Sequence, residues 1–148
     1  MMSLLQDILP ENCEAYEIFD EIDLPPLHPE ELPIIERASP KRIEEFSKGR
    51  HCARMALAKI GLSQSTILKG KLGEPLWPIA VNGSITHTQG YCAAIVTQTP
   101  GLFVGIDAEV TNGMSAEEFL TIATESECAQ LATLQTAHPE IDPSRLRQ

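Results

Sequence analysis

No run in this sequence approaches the ~20 apolar residues that a bilayer-spanning helix needs. The opening residues, MMSLLQDILPENCE, carry no basic segment and meet acids early, so a secretory signal is not expected and a soluble cytoplasmic chain is. Four cysteines (Cys13, Cys52, Cys92, Cys128) lie far apart without a C-x-x-C pair, which argues against a zinc knuckle or a disulfide framework. Positive charge is also short: the formal net charge is −10, which disfavours nucleic acid as a partner. Internal repeats and low-complexity tracts are absent. The 148 residues suit one modest domain or two small halves sharing a core.

What basic charge there is lies in one place. Eight of the eleven Lys and Arg fall between Lys41 and Lys71. An acidic chain that binds an anion needs such a local pocket.

Cys13 to Phe19 reads as a strand by its apolar alternation. Pro29-Glu30-Glu31 opens a short helix, with proline early and acids in the first turn. Ser39-Pro40 starts a longer one, with Ser39 as N-cap and Gly61 as the glycine that ends it. Thr66 to Lys69 is a short strand candidate, followed by a glycine- and proline-rich turn. Gly83 to Gly90 is polar and leads into the apolar strand Tyr91 to Gln98. Leu102 to Glu109 is expected to be a second strand, paired with it as a hairpin. Ser115 caps a helix reaching about Leu134, and the remainder reads as loop.

Several residues could carry chemistry. Asp107 and Glu109 are two apart on an expected strand, so they share a face at roughly 6–7 Å between Cα atoms. That spacing suits a hard cation held with phosphate oxygens, although by itself a D-x-E pair is more often a solvent-facing acidic strand end. Gly105 beside them suggests close backbone approach. His87, in a hydroxyl-rich segment between glycines, could offer a donor to an anion, or be an ordinary loop histidine. Arg42, Arg50 and Arg54 share one helix and could present guanidinium groups to phosphates, or form a solvated face pairing with Glu44 and Glu45. Trp77, in a rigid turn after Gly73-Glu74-Pro75, is a core anchor before it is a base-stacking surface. Ser84 lacks the G-x-S-x-G frame of a nucleophile.

The order of these signals is more specific than any one of them. K-R-I-E-E-F-S-K-G-R-H-C-A-R-M-A-L, then G-E-P-L-W-P, then G-S-I-T-H-T-Q-G-Y-C-A-A, then V-G-I-D-A-E resembles the 4′-phosphopantetheinyl transferase superfamily over roughly residues 28–110. The likeness is to the branch that includes the enterobactin synthetase component D enzymes. It implies an α/β (α+β) fold of two similar halves, here residues 1–104 and the start of the second half in 105–148. It implies magnesium-dependent transfer of the phosphopantetheine arm of coenzyme A to a serine of an apo acyl or peptidyl carrier protein, in siderophore or other secondary metabolism, by a monomer.

Residue by residue, the resemblance assigns Arg42 and Arg50 to the phosphates of the adenosine end, with Lys69 as a looser match. It assigns Glu74 and Pro75 to the adenine turn, Thr86 and His87 to the pyrophosphate, and Asp107 and Glu109 to magnesium. His87, Asp107 and Glu109 are thus the expected catalytic residues. The family continues with a motif like F-S-x-K-E-x-x-x-K, and nothing after Glu109 matches it. A coenzyme A- or carrier-binding chain without transfer is therefore the alternative expectation.

Overall fold

The computed structural model describes residues 4–5, 8–19, 22–63, 65–110, 115–137 and 139. The expectation for residues 140–148 lies outside these. The chain divides into two compact units, Met1–Glu109 and Val110–Gln148.

The first unit is α+β. Its elements are β1 (Cys13–Phe19), α1 (Leu32–Ile35), α2 (Pro40–Lys59), β2 (Leu68–Lys69), β3 (Pro75–Leu76), β4 (Asn82–Thr88) and β5 (Tyr91–Thr97). An antiparallel sheet in the order β1-β5-β4 forms the floor, and β2 and β3 pair as a separate short ribbon.

The long helix forms where local chemistry dictates. Ser39 is extended, and its hydroxyl accepts the Arg42 N–H at 3.3 Å, with Pro40 next to it in the first turn. At the other end Gly61 takes φ +84°, and a Schellman pair closes the helix: Leu62 N–H donates to the Leu57 carbonyl, and Gly61 N–H to that of Ala58. Cys52, Ala53, Ala56 and Leu57 of α2 then bury against Ile18, Cys92, Ala94 and Val96 of the sheet, with Ile67. Burying Leu57 and Ile67 completely contributes about 1.5–3 kcal/mol each. All four cysteines are free thiols.

The opposite face of the sheet, carrying Ala15, Ala93 and Ile95, is covered by Leu5, Leu9, Leu102, Val104 and Ile106. Here the structure corrects the expected hairpin. Leu102 to Glu109 is extended but not a strand, and β5 pairs instead with β4 and β1. The polar segment expected only to precede β5 is itself β4, joined to it through Gln89-Gly90, with Gly90 at φ +75°. The reason lies in the hydroxyls. Ser84 Oγ accepts the Ile106 N–H at 3.2 Å, and Thr86 Oγ1 accepts that of Ala108 at 2.9 Å, so side chains replace a backbone ladder. This stitching ties residues 106–108 to β4 within the first unit, Met1–Glu109.

Two smaller corrections are local. The short helix starts at Leu32 rather than at Pro29, because Glu31 is its N-cap residue and its carboxylate is engaged elsewhere. In the second unit the single helix expected from Ser115 is two, α3 (Ala116–Ile122) and α4 (Glu125–Ala137). Ala123 is extended, and Thr124 and Glu127 exchange hydrogen bonds as a second capping box after that of Ser115 and Glu118. Neither helix buries a residue.

Candidate functional site

The sequence-predicted residues fall into three neighbourhoods of the first unit. The first is the junction of β4 with the extended segment. Thr86 is buried; its hydroxyl accepts the Ala108 N–H and donates to Asp107 Oδ1 at 3.4 Å. Along Leu102–Glu109 the even residues are half-buried and the odd ones exposed, so Asp107 and Glu109 share the outward side, as their spacing requires. Gly105 shares it too, but a Cβ there would meet nothing within 4 Å, so the expected close backbone approach is absent.

Magnesium characteristically takes one or two carboxylates and completes its octahedron with waters and substrate phosphates. Two exposed carboxylates on one side of an extended segment fit that donor set. Among the described residues no group of three or more His, Cys, Asp or Glu gathers as a fuller cage.

The second neighbourhood lies beyond β4, on the side of α2. His87 follows Thr86 on the strand and so projects the other way. Its Nε2 is 4.0 Å from Glu45 Oε2, and that oxygen is also 3.5 Å from Arg42 Nη1. Lys41 Nζ lies 4.0 Å from the second Glu45 oxygen. Lys41, Glu45, Lys48 and His87 line an open cleft of about 720 Å³ together with Tyr91 and Cys92. Burial and the neighbouring Glu17 carboxylate, which accepts the Tyr91 hydroxyl at 2.7 Å, push the Tyr91 phenol above its ordinary pKa.

The third neighbourhood is the β2-β3 ribbon. Lys69 pairs with Pro75 across it, and the Glu74 carboxylate accepts the Leu72 N–H at 2.9 Å. Gly70 N–H donates to the Glu74 carbonyl, and any side chain at Gly70 would strike the Glu74 carboxylate. The turn is therefore pinned from both ends. Trp77 fills the role of core anchor: it packs on the α2-side cluster, and a Cβ at Gly83 would come within 2.7 Å of its ring.

Arginine is where the sequence reading needs the largest correction. Arg42, Arg50 and Arg54 do not form one phosphate-facing surface. Arg42 is half in solvent, while Arg50 and Arg54 are buried. Arg50 Nε donates to the Ile67 carbonyl at 2.6 Å and one Nη to that of Leu68 at 3.3 Å, with its guanidinium 4.3 Å over the Phe46 ring. Burial pushes its pKa down to about 10 against the opposing pull of Glu31, so it stays charged at neutral pH. Arg54 Nη1 reaches both oxygens of the fully buried Glu31 at 2.9 Å. Glu31 also accepts the N–H groups of Ile67 and His28. Neither Glu31 nor Glu45 stood out in the sequence as more than an acid. Only the i+3 and i+4 spacing of Glu45 from Arg42 and Lys41 pointed to its pairing.

The chain is similar in sequence to known proteins. The family described as 4′-phosphopantetheinyl transferase N-terminal domain matches residues 28–97, which hold two of the three neighbourhoods and the β4 side of the first. The 4′-phosphopantetheinyl transferase PptT of Mycobacterium tuberculosis is 44% identical over 113 residues, covering 72% of this chain and 49% of that protein. Svp of Streptomyces mobaraensis, also named a 4′-phosphopantetheinyl transferase, is 39% identical over 121 residues, covering 81% and 49%. Enterobactin synthase component D of Escherichia coli K12 is 34% identical over 100 residues, covering 66% and 47%. The chain spans about half the length of the curated relatives it matches.

Proposed function

The chain belongs to the 4′-phosphopantetheinyl transferase family, and from that premise we propose that it serves the magnesium-dependent transfer of phosphopantetheine from coenzyme A to a serine of an apo carrier protein. In that reaction the serine oxygen bonds to the phosphorus that bears the pantetheine arm. The phosphorus–oxygen bond to adenosine 3′,5′-bisphosphate breaks, and the serine proton is released. The nucleophile comes from the partner, which accounts for the structural use of Ser84 here. Such a reaction is aided by positioning and by neutralising charge.

The observation that carries this reading is the stitching of residues 106–108 to β4. Thr86 fixes the Ala108 backbone and touches Asp107, which puts Asp107 beside the strand that bears His87, with Glu109 two residues on along the same outward side. Bound magnesium would be held by Asp107 and Glu109 and would neutralise pyrophosphate charge. His87 offers a donor to ligand phosphates at the cleft, and Arg42 offers another beside it, next to Glu45. The pinned Gly73-Glu74-Pro75 turn offers rigid backbone groups to the adenine, with Lys69 beside it. Arg50 acts one step back, by tying α2 to the strand that carries Lys69. Carriers of siderophore or peptide synthetases fit the likeness to enterobactin synthase component D. A cytoplasmic monomer fits an enzyme of coenzyme A, and among the described residues no helix is long and apolar enough to cross a membrane.

Calorimetric titration of the chain with coenzyme A tests this directly. Binding is expected, strengthened by magnesium, and Asp107→Ala is expected to abolish the magnesium effect while leaving metal-independent binding. Addition of an apo carrier protein then separates transfer, seen as a phosphopantetheine-sized mass gain on the carrier, from binding alone. A chain that ignores coenzyme A would refute the proposal.

A further inference from the structure

Glu45 is an acid in the middle of what should be an anion site, and its placement is specific. Its Oε2 lies within 4.0 Å of both Arg42 Nη1 and His87 Nε2, two side chains that come from different elements, α2 and β4. Its other oxygen lies 4.0 Å from Lys41 Nζ. One carboxylate is therefore ringed by three cationic or donor groups at ion-pair distance, and it is only about one-quarter exposed. The neighbouring Glu44 behaves differently: it is half in solvent and pairs with Lys48, a turn further along the same helix.

The distances are those of a loose cage rather than of tight hydrogen bonds. Contacts of 3.5–4.0 Å from Oε2 leave room for a larger anion with several oxygens to bring the same donors to hydrogen-bond distance. Lys41 and Arg42, side by side without a counter-charge, would repel one another in the ligand-free protein. A carboxylate among them removes that repulsion until a ligand does so.

We propose that Glu45 is a placeholder anion: its carboxylate occupies, in the ligand-free chain, the position between Arg42 and His87 that a phosphate group of coenzyme A takes on binding. This rests on the reading of the cleft as a coenzyme A site. Glu45 is then a positioning residue. It keeps Arg42 and His87 facing one point, and it must turn aside before the phosphate enters. Binding therefore carries the cost of breaking its ion pairs and of placing two anions close together.

The test compares the 148-residue chain with Glu45→Gln and with Glu44→Gln, each titrated with coenzyme A by calorimetry at fixed pH and ionic strength. Both substitutions remove one negative charge from the same helix at constant side-chain shape. Only Glu45→Gln removes it from between Arg42 and His87. The expected result is coenzyme A binding about tenfold tighter for Glu45→Gln, as relief of a like-charge contact near 4 Å implies, and less than about twofold tighter for Glu44→Gln. Unchanged or weaker binding by Glu45→Gln overturns the placeholder and leaves the coenzyme A site standing. Equal tightening by both variants also overturns it, since general charge would then be the cause. If none of the three chains binds coenzyme A, the reading of the cleft falls and the placeholder falls with it.

Discussion

At its N-terminal end α2 carries Lys41 and Arg42 in solvent beside Glu45, while toward its C-terminal end Arg50 and Arg54 are buried against backbone carbonyls and Glu31. The residue types match, and both stretches lie on one continuous helix. Their roles differ because of what packs above them. Around Arg50 and Arg54 the Ile67 strand entry and the α1 turn close over the helix, with Arg50 bonded to the Ile67 and Leu68 carbonyls and Arg54 Nη1 to Glu31. Arg42 instead is half in solvent, and it shares its Glu45 partner with His87 at the end of β4. A cation's function here is set by the number of acceptors the fold brings to it.

The most severe way to break this contrast is Glu31→Ala. It would leave the buried Arg54 charge unpaired and strip acceptors from the Ile67 and His28 N–H groups. Removing one partner of a buried pair costs about 3–5 kcal/mol. Against a typical domain stability of about 5–15 kcal/mol, that brings the fold near its limit. Urea denaturation should show the loss as a lower midpoint with an unchanged slope. A change below about 1 kcal/mol would mean that the interior half of α2 is not held as described. Replacing Glu31 and Arg54 together by Leu and Met should recover much of the loss, because apolar pairs substitute well for buried ion pairs.

Arg50→Ala comes next. It takes donors from two carbonyls, one of them buried, and removes the stacking on Phe46. Leaving a buried acceptor unsatisfied costs about 1–3 kcal/mol, so a loss of about 2 kcal/mol is expected in the same denaturation experiment. If Arg50 acts through the ribbon, Arg50→Ala should also weaken coenzyme A binding, and Arg50→Lys should not fully restore it, since one ammonium cannot reproduce the fork on two carbonyls. Full recovery by lysine would instead identify Arg50 as a simple point charge facing the ligand.

How much of this was legible depended on the range of the interactions. The limits of β1 and α2 could be read because they rest on near neighbours: apolar alternation from Cys13 to Phe19, the Ser39 cap, the glycine at 61. The outward side shared by Asp107 and Glu109 was legible for the same reason. The partner of that segment was not. Serine and threonine at 84 and 86 look like loop residues, yet their hydroxyls substitute for a strand ladder, and nothing in sequence marks an acceptor 22 residues from its donor. Arg50 is alike: its carbonyl partners lie 17 and 18 residues away. The break at Ala123 was the exception, a local signal, Thr124 three residues before Glu127, hidden inside a pattern that continues helically on both sides.

The smallest effect on stability, and the one that sharpens the contrast most, belongs to Arg42→Ala. Its guanidinium is half exposed, and its partner Glu45 is 3.5 Å away, a surface pair of the kind that contributes about 0–1 kcal/mol. The cap of α2 uses the Arg42 backbone N–H, which alanine keeps. Thermal and urea midpoints should therefore stay within about 0.5 kcal/mol of the parent chain. Coenzyme A affinity should nevertheless fall about tenfold, the weight of one charge-assisted contact to phosphate. Salt should shrink the difference, because a partly exposed charge is screened within about 10 Å at 0.1 M. Loss of stability without loss of affinity would invert the assignment and make Arg42 another structural arginine. Loss of affinity alone would place the functional boundary within α2 itself, between Arg42 and Arg50.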